Sequence, residues 1–521
     1  MRKIAFAFNR GFFCLYICLF LVVGIAGTVT VAFFGELGNE YPIPVIKSIL
    51  RILIILIFFA VIFLFYIFSA HIFLSTGKSI ISKLKLDTPT IIICMLAILI
   101  VQLIFAFSLQ MIPKTDVEKL NTYATQIVLD NSFDCLDSDF NNHYIIRYPN
   151  NLAMLLLMTC VYKATYFFTG AFSHIPIIIL NTLAINASIL LTVLVSRNMF
   201  GDRKAITTLI LCALFTPYYT YTPYFYTDSF SILFVISAIY FLSTSFTTKS
   251  SKKRIICFII SGMICFFGFK LKGSVLILVP ATLLYMPIKY NIKKSAKTIL
   301  LFLMSFCLLW GSTSILNKTI PLISEESSNK YQFPVTHWIM MGLSGVGGFN
   351  DEDSDYTKSF PTKSEKTDAN LREIGNRLNN YGFFGVIRHL GYKVVWTYMD
   401  GTYYIANYLE NYKHKTPLHD LILYDGKLRF LFYAYSFAFQ MFIFLMMGFS
   451  AIKTPNNNHT TPLTMLRIAV TGLFIFFMIW ETNSRYPFNF TPLYMLLATE
   501  GIYKFVEIIK KHIINSTFPH E

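Results

Sequence analysis

The chain has 521 residues, of which 55% are hydrophobic and only 14% charged, with a formal net charge of +16. A soluble domain is nearer half apolar and a quarter charged, so these proportions exclude an ordinary soluble enzyme and describe an integral membrane protein with many crossings. The basic excess does not point to nucleic acid, because the lysines and arginines fall largely in short loops between apolar runs, as the positive-inside rule requires.

Met1-Arg2-Lys3 and Arg10 lead into an apolar run reaching Phe34. That is too long for the core of a cleaved signal peptide, so a retained first membrane helix is expected. With a window of roughly 20 apolar residues per crossing, spans are predicted near 11–34, 47–74, 88–113, 175–196, 205–220, 226–247, 255–269, 273–289, 298–316, 428–452, 464–482 and 487–509. The fold class is therefore all-α and membrane-embedded, with about twelve transmembrane helices.

With the N-terminus inside, the inner loops carry Lys78, Lys83 and Lys85; Arg197, Arg203 and Lys204; Lys249, Lys252, Lys253 and Arg254; and Lys289, Lys293, Lys294 and Lys297. Lys504, Lys510 and Lys511 put the C-terminus inside as well. The outer loops then include the acidic turn Gly35–Glu40 and two long polar stretches, 114–150 and about 317–427. An apolar run at 152–169 would invert this pattern if it crossed, so it is expected as a juxtamembrane or re-entrant helix on the outer side. The expected divisions are N-terminal membrane helices (1–113), a membrane core (114–316), a small outer cap (317–427) between spans nine and ten, and C-terminal membrane helices (428–521).

The stretch after Pro113 begins like a helix. Thr115-x-x-Glu118 is a capping-box pattern, and Val117, Leu120, Ala124, Ile127 and Val128 follow at helical spacing, so an amphipathic helix in the outer interface is predicted. The cap contains turns at Gly345, Gly347 and Gly348, a helical stretch near 369–380, and recurring aromatics including Trp396, which mark it as folded. Its acidic run, Asn350 to Asp355, alternates oxygens as calcium loops do but lacks a full ligand set, so a solvated turn is expected. Eight of the nine cysteines lie in apolar runs and Cys135 has no partner in its loop, so no disulfide framework or metal-ligand spacing follows.

Several charged or polar side chains stand where chemistry is possible. Asp116, in the first turn of the predicted helix, suits a general base, though an acid there also favours the helix dipole. Arg147, in Arg147-Tyr148-Pro149, can grip a phosphate with two parallel bonds or serve with Tyr148 as an interfacial anchor. Asp228 closes the aromatic turn Tyr218–Asp228; an aromatic belt accounts for its tyrosines but not for the aspartate. Lys270 and Lys272 stand at an outer helix end against the positive-inside trend, where an anionic phosphate or snorkelling to the interface would explain them. Arg485-Tyr486-Pro487 follows Glu481 by one helical turn, so Glu481 and Arg485 are expected to pair. In the cap, His337-Trp338, Lys393 and Asp400 are candidate substrate contacts, and His337 is equally suited to a structural role.

In this order, the motifs resemble the GT-C superfamily of membrane glycosyltransferases, of the protein-O-mannosyltransferase and aminoarabinose-transferase type. Asp116 matches that family's early outer-loop aspartate, Tyr148-Pro149 its Tyr-Pro or His-Pro motif, and Pro223 with Asp228 its Pro…Asp turn. Lys270 or Lys272 matches a helix-opening lysine, and Arg485-Tyr486 the pair before the last span. The family's adjacent Asp-Glu is Asp116-Val117-Glu118 here, and two additional spans precede the key loop. The resemblance implies transfer of a sugar from a polyprenyl-phosphate donor to an extracytoplasmic glycan acceptor such as a wall polysaccharide or teichoic acid. Asp116, with Asp228 as the second carboxylate, would be catalytic. Arg147, Lys270, Lys272 and Arg485 would hold the lipid phosphate, and Tyr148, His337, Trp338, Lys393 and Asp400 would line the substrate site. No metal or other cofactor is expected, since a monophosphate leaves and side-chain cations are at hand. The Lys/Ile/Asn/Phe-rich composition suggests an AT-rich bacterium and hence undecaprenyl phosphate. A lipid or polysaccharide flippase and a non-catalytic subunit of a wall-polymer assembly are the alternatives; a flippase would place its polar residues on broken helices near the midplane.

Overall fold

The computed structural model describes residues 2–33, 45–75, 86–452 and 462–517. The acidic turn 35–40 and the basic loop with Lys78, Lys83 and Lys85 lie outside them. Among the described residues the protein is all helical, with one isolated antiparallel bridge, Met111 to Tyr412.

Ten helices among the described residues are long and apolar enough to cross a membrane: Ile4–Phe33, Val45–Leu74, Thr88–Ser108, Pro149–Thr169, Ile175–Phe200, Thr227–Thr247, Ser251–Leu271, Ile292–Thr319, Arg429–Phe449 and Pro462–Ile479. The sequence-based count of about twelve changes for local reasons. The expected span at 205–220 is two pieces, Asp202–Leu214 and Pro217–Thr220, because Pro217 lacks an N–H donor and its ring would clash with the carbonyl four residues back, and the chain turns extended at Phe215. The apolar run 273–289 opens as a 3-10 turn and becomes a helix only over Leu278–Lys289. Thr491–Thr517 is long enough but carries Glu500, Lys504 and Glu507 across its middle. Conversely, Pro149–Thr169 meets the criteria for a span, although Leu152–Thr169 packs chiefly on Thr115–Asp130.

Arg429–Phe449 is the most enclosed of these helices, packed against Arg2–Phe33, Val45–Ser75 and Thr491–Thr517. Val45–Ser75 lies at the periphery, with Ile46, Leu53, Ile57, Leu64 and Phe68 exposed, as a lipid-facing surface requires. Buried amides brace the core. Asn181 Nδ2 donates to the carbonyls of Tyr221 and Thr222 at 2.9 Å and of Tyr224 at 3.2 Å. Gln102 Nε2 donates to the Tyr218 carbonyl at 3.0 Å. These bonds fix the aromatic turn whose end carries Asp228.

The amphipathic helix forms as predicted over Thr115–Asp130, with Val117, Leu120, Tyr123, Ala124, Ile127 and Val128 buried. Each such large apolar side chain contributes roughly 1.5–3 kcal/mol on leaving water. The capping box does not form. Thr115 has a left-handed backbone (φ 54°), Lys114 is the cap, and no side chain bonds the first turn. Lys114 instead pairs with Glu410 at 3.0 Å.

The two long polar stretches meet. Besides the Lys114 pair, Ser324 donates to Asp137 at 3.2 Å and His143 stacks on Tyr331 at 3.7 Å. Both stretches therefore lie at the same end of the bundle. The 317–427 segment is helical over much of its length, dominated by Lys363–Tyr398 with a kink at Gly382. The acidic run is not a solvated turn: Asn350 caps the helix Asp351–Lys358, and buried Asp353 takes two bonds from Arg377 at 2.5 and 3.0 Å.

Candidate functional site

Four of the charged residues singled out in the sequence come together. Arg485 lies at the centre. Its Nη2 donates to Asp116 Oδ2 at 3.2 Å and its Nη1 to the Tyr224 hydroxyl at 2.8 Å. Its Nε faces Asp228 Oδ2 at 3.6 Å, and Lys272 Nζ closes on Asp228 Oδ1. Two carboxylates and two cations thus form one alternating cluster. Asp228 is fully buried and the Arg485 side chain 9% exposed, whereas the Asp116 side chain is 33% exposed and occupies the mouth.

Each member is held from a different element, and uncharged side chains set the register. Tyr144 donates to Asp116 Oδ1 at 2.9 Å, Asn151 donates to the Tyr144 hydroxyl at 2.8 Å, and Tyr226 donates to Asn151 Oδ1 at 3.0 Å. Burial and the neighbouring Asp116 hold the Tyr144 phenol well above the usual tyrosine range, so it remains a donor. Asn489 Nδ2 donates to Ser231 at 3.0 Å and to Ser274 at 3.1 Å, tying together the segments that carry Arg485, Asp228 and Lys272. Tyr226, Tyr408 and Tyr486 present ring faces to the Arg485 guanidinium at 5.0–5.4 Å. Tyr486 also lies beneath Lys272 Nζ, 4.8 Å from the ring centre.

Glu481 does not pair with Arg485. Both its carboxylate oxygens accept from the Tyr486 hydroxyl at 2.9 Å, because the chain leaves helical geometry after Ile479 and turns the two residues apart. Burial raises its carboxyl to about 7.

The remaining candidates lie apart from the cluster. Arg147 donates to Asn142 Oδ1 at 2.7 Å, and Lys270 Nζ sits over the Phe266 ring at 5.6 Å. Tyr148 borders the mouth, 5.2 Å from the Tyr144 ring and 6.4 Å from Trp338, and Trp338 stacks on Trp480 at 5.8 Å. His337 is enclosed, with Nδ1 2.8 Å from the Thr357 hydroxyl, and burial lowers its imidazole to about 4. Asp400 receives Thr402 N–H at 2.8 Å, Thr402 Oγ1 at 2.7 Å and Tyr404 N–H at 2.8 Å, shaping the loop that leads to Tyr408.

Lys393 is fully buried, and its ammonium donates to the carbonyls of Gly342 and Trp480 at 2.8 Å and of Met478 at 3.2 Å. It pins the helix Lys363–Tyr398 onto the segment that leads to Glu481 and Arg485. The same seam includes Glu481 N–H to the Trp338 carbonyl at 2.9 Å and Thr482 N–H to the Gly347 carbonyl at 2.8 Å. Only glycine fits at 342, where a Cβ would stand 2.8 Å from the Trp480 carbonyl carbon.

Among the described residues, no group of three or more His, Cys, Asp and Glu is placed to hold a metal. A family model described as conserved hypothetical integral membrane protein matches residues 6–504. The chain belongs to that family. Members of the family are membrane proteins by description, in accord with the ten candidate spans. No curated protein matches the chain. Among solved structures it is similar to ArnT from Cupriavidus metallidurans bound to undecaprenyl phosphate, at 12% identity over 81% of this chain and 78% of that one. The TM-score is 0.36, a likeness too slight to build on.

Proposed function

We propose that the cluster is the active site of a membrane glycosyltransferase that takes a sugar from a polyprenyl-phosphate donor. The observation that carries this is the contact of a partly exposed carboxylate, Asp116, with a buried arginine that also faces the Asp228–Lys272 pair. Sugar transfer from a lipid phosphate needs a base for the acceptor hydroxyl and cations for the departing phosphate, within one site.

Asp116 stands at the mouth, where an acceptor can reach it. As the acceptor oxygen bonds to the anomeric carbon, Asp116 takes its proton and the bond from that carbon to the phosphate oxygen breaks. Lys272 and Arg485 stabilise the negative charge that grows on the phosphate. Asp228 holds both cations in place, and Tyr144 orients Asp116. The proposed donor lipid is undecaprenyl phosphate, the acceptor an extracytoplasmic glycan, and the site faces outward with both termini inside, following the distribution of lysine and arginine.

The test is the structure of the wall glycans in cells lacking the protein. Loss of one sugar substituent, restored by the wild-type gene but not by Asp116→Asn, is the expected outcome. Glycans identical with and without the protein would reject the proposal.

A further inference from the structure

Charge balance at the site raises a difficulty for any anionic donor. Asp116 and Asp228 already neutralise Lys272 and Arg485, so neither of these two cations is left over for an arriving phosphate. Glu481 adds a further acidic group one phenol ring away: Tyr486 bonds it through the hydroxyl and offers its ring face to both Lys272 and Arg485. An ionised Glu481 would make the site net negative at the moment it must accept an anion.

We propose that phosphate binding is coupled to uptake of one proton by Glu481, which acts as the charge compensator of the site. This rests on the glycosyltransferase reading above. Several groups face Glu481. Tyr486 and Arg485 lie on its own turn, Lys272 at the end of Ser251–Leu271, Asp116 on Thr115–Asp130, Tyr148 before Leu152–Thr169, and Lys393 on Lys363–Tyr398. The Trp338 carbonyl accepts its backbone N–H. Of these, Tyr486 alone bonds the carboxylate; as a donor it favours the ionised form, and burial opposes it. Burial already brings the carboxyl to about 7, and an anion beside Lys272 raises it further. Lys272, pulled below the usual lysine range by burial, is held charged by Asp228 and so has no proton to take up.

The sign follows from linkage. Below the free-state value Glu481 is neutral and the anion binds at full strength; above it, binding must first bring a proton from solvent, and affinity falls by up to about tenfold per pH unit. The probe is a polyprenyl phosphate methyl diester, whose phosphate carries one fixed charge and does not itself titrate in this range. Binding to the purified full-length protein is measured calorimetrically at about pH 6, 7 and 8, in buffers of different ionisation enthalpy.

Wild type should lose up to about tenfold in affinity between about pH 7 and pH 8, with a buffer-dependent enthalpy at about pH 8 equal to uptake of close to one proton. Glu481→Gln keeps an acceptor for Tyr486 and should bind with no such pH dependence. Tyr486→Phe removes the donor that favours the carboxylate and should shift the loss of affinity to higher pH. A buffer-independent enthalpy in wild type, or the same pH dependence in Glu481→Gln, would overturn the coupling while leaving the donor site intact. Folded wild type that binds no diester at any of these pH values would remove the glycosyltransferase reading, and this inference with it.

Discussion

Lys272 and Lys393 are both enclosed lysines facing the segment that carries Glu481 and Arg485, yet they do different work. Lys393 spends its donors on three backbone carbonyls of two segments and has no carboxylate bonded to it. Lys272 has Asp228 for its partner, keeps 14% of its side chain exposed, and stands next to an arginine shared by two aspartates. A lysine satisfied by carbonyls of fixed segments is a fastener, since moving it would strand acceptors at about 1–3 kcal/mol each. A lysine inside an alternating set of charges can exchange one anion for another with little rearrangement. Surroundings of this kind, more than burial, separate the fastening region from the reacting one.

Removing the central cation is the strongest way to break that contrast. Arg485→Met takes a partner from Asp228, whose carboxylate is fully buried, and from Asp116. Stranding a buried charge costs about 3–5 kcal/mol, so a marked fall in the melting temperature in detergent is expected, together with loss of sugar transfer. A melting curve unchanged from wild type would show that the cluster carries no stability. Lys272→Gln is milder, because the amide still donates to Asp228. It should fold normally and weaken donor binding about 10–100-fold, the worth of one charge-assisted hydrogen bond. Lys393→Met sharpens the contrast from the other side. It should lower stability by about 1–3 kcal/mol for each acceptor it strands, yet leave the donor dissociation constant of the folded protein within about twofold. A selective loss of donor binding would make Lys393 part of the site after all.

Much of this was legible in the sequence, and the reasons it failed elsewhere are specific. Apolar run length found nine of the ten candidate spans, but at 205–220 it ran through Pro217, where the helix breaks. Asp116, Asp228, Lys272 and Arg485 stood out because a charge beside apolar runs needs a partner. The same logic also selected Lys393 and Asp400, whose partners are backbone groups that no sequence pattern displays. Tyr144, Asn151, Tyr226 and Asn489 were missed, since an uncharged polar residue near a span is common and only the tertiary register shows which ones meet. Glu481 was paired with Arg485 from helical spacing, and the chain is not helical there.

The central claim is that Asp116 reacts while the cations behind it bind, and purified Asp116→Asn tests it in one experiment. Donor dissociation constant and transfer turnover are measured on the same preparation, with Glu118→Gln, an exposed neighbour on the same helix, as reference. The account predicts a folded protein, because Asn keeps an oxygen acceptor for Tyr144 or Arg485 and the helix dipole loses only about 0.3–1 kcal/mol. It also predicts donor binding no weaker than wild type, since a charge opposing the phosphate is removed, and turnover about 10²–10⁴-fold lower, the usual effect of losing a general base. Near-normal turnover in Asp116→Asn, or a loss of turnover that Glu118→Gln reproduces, would contradict it.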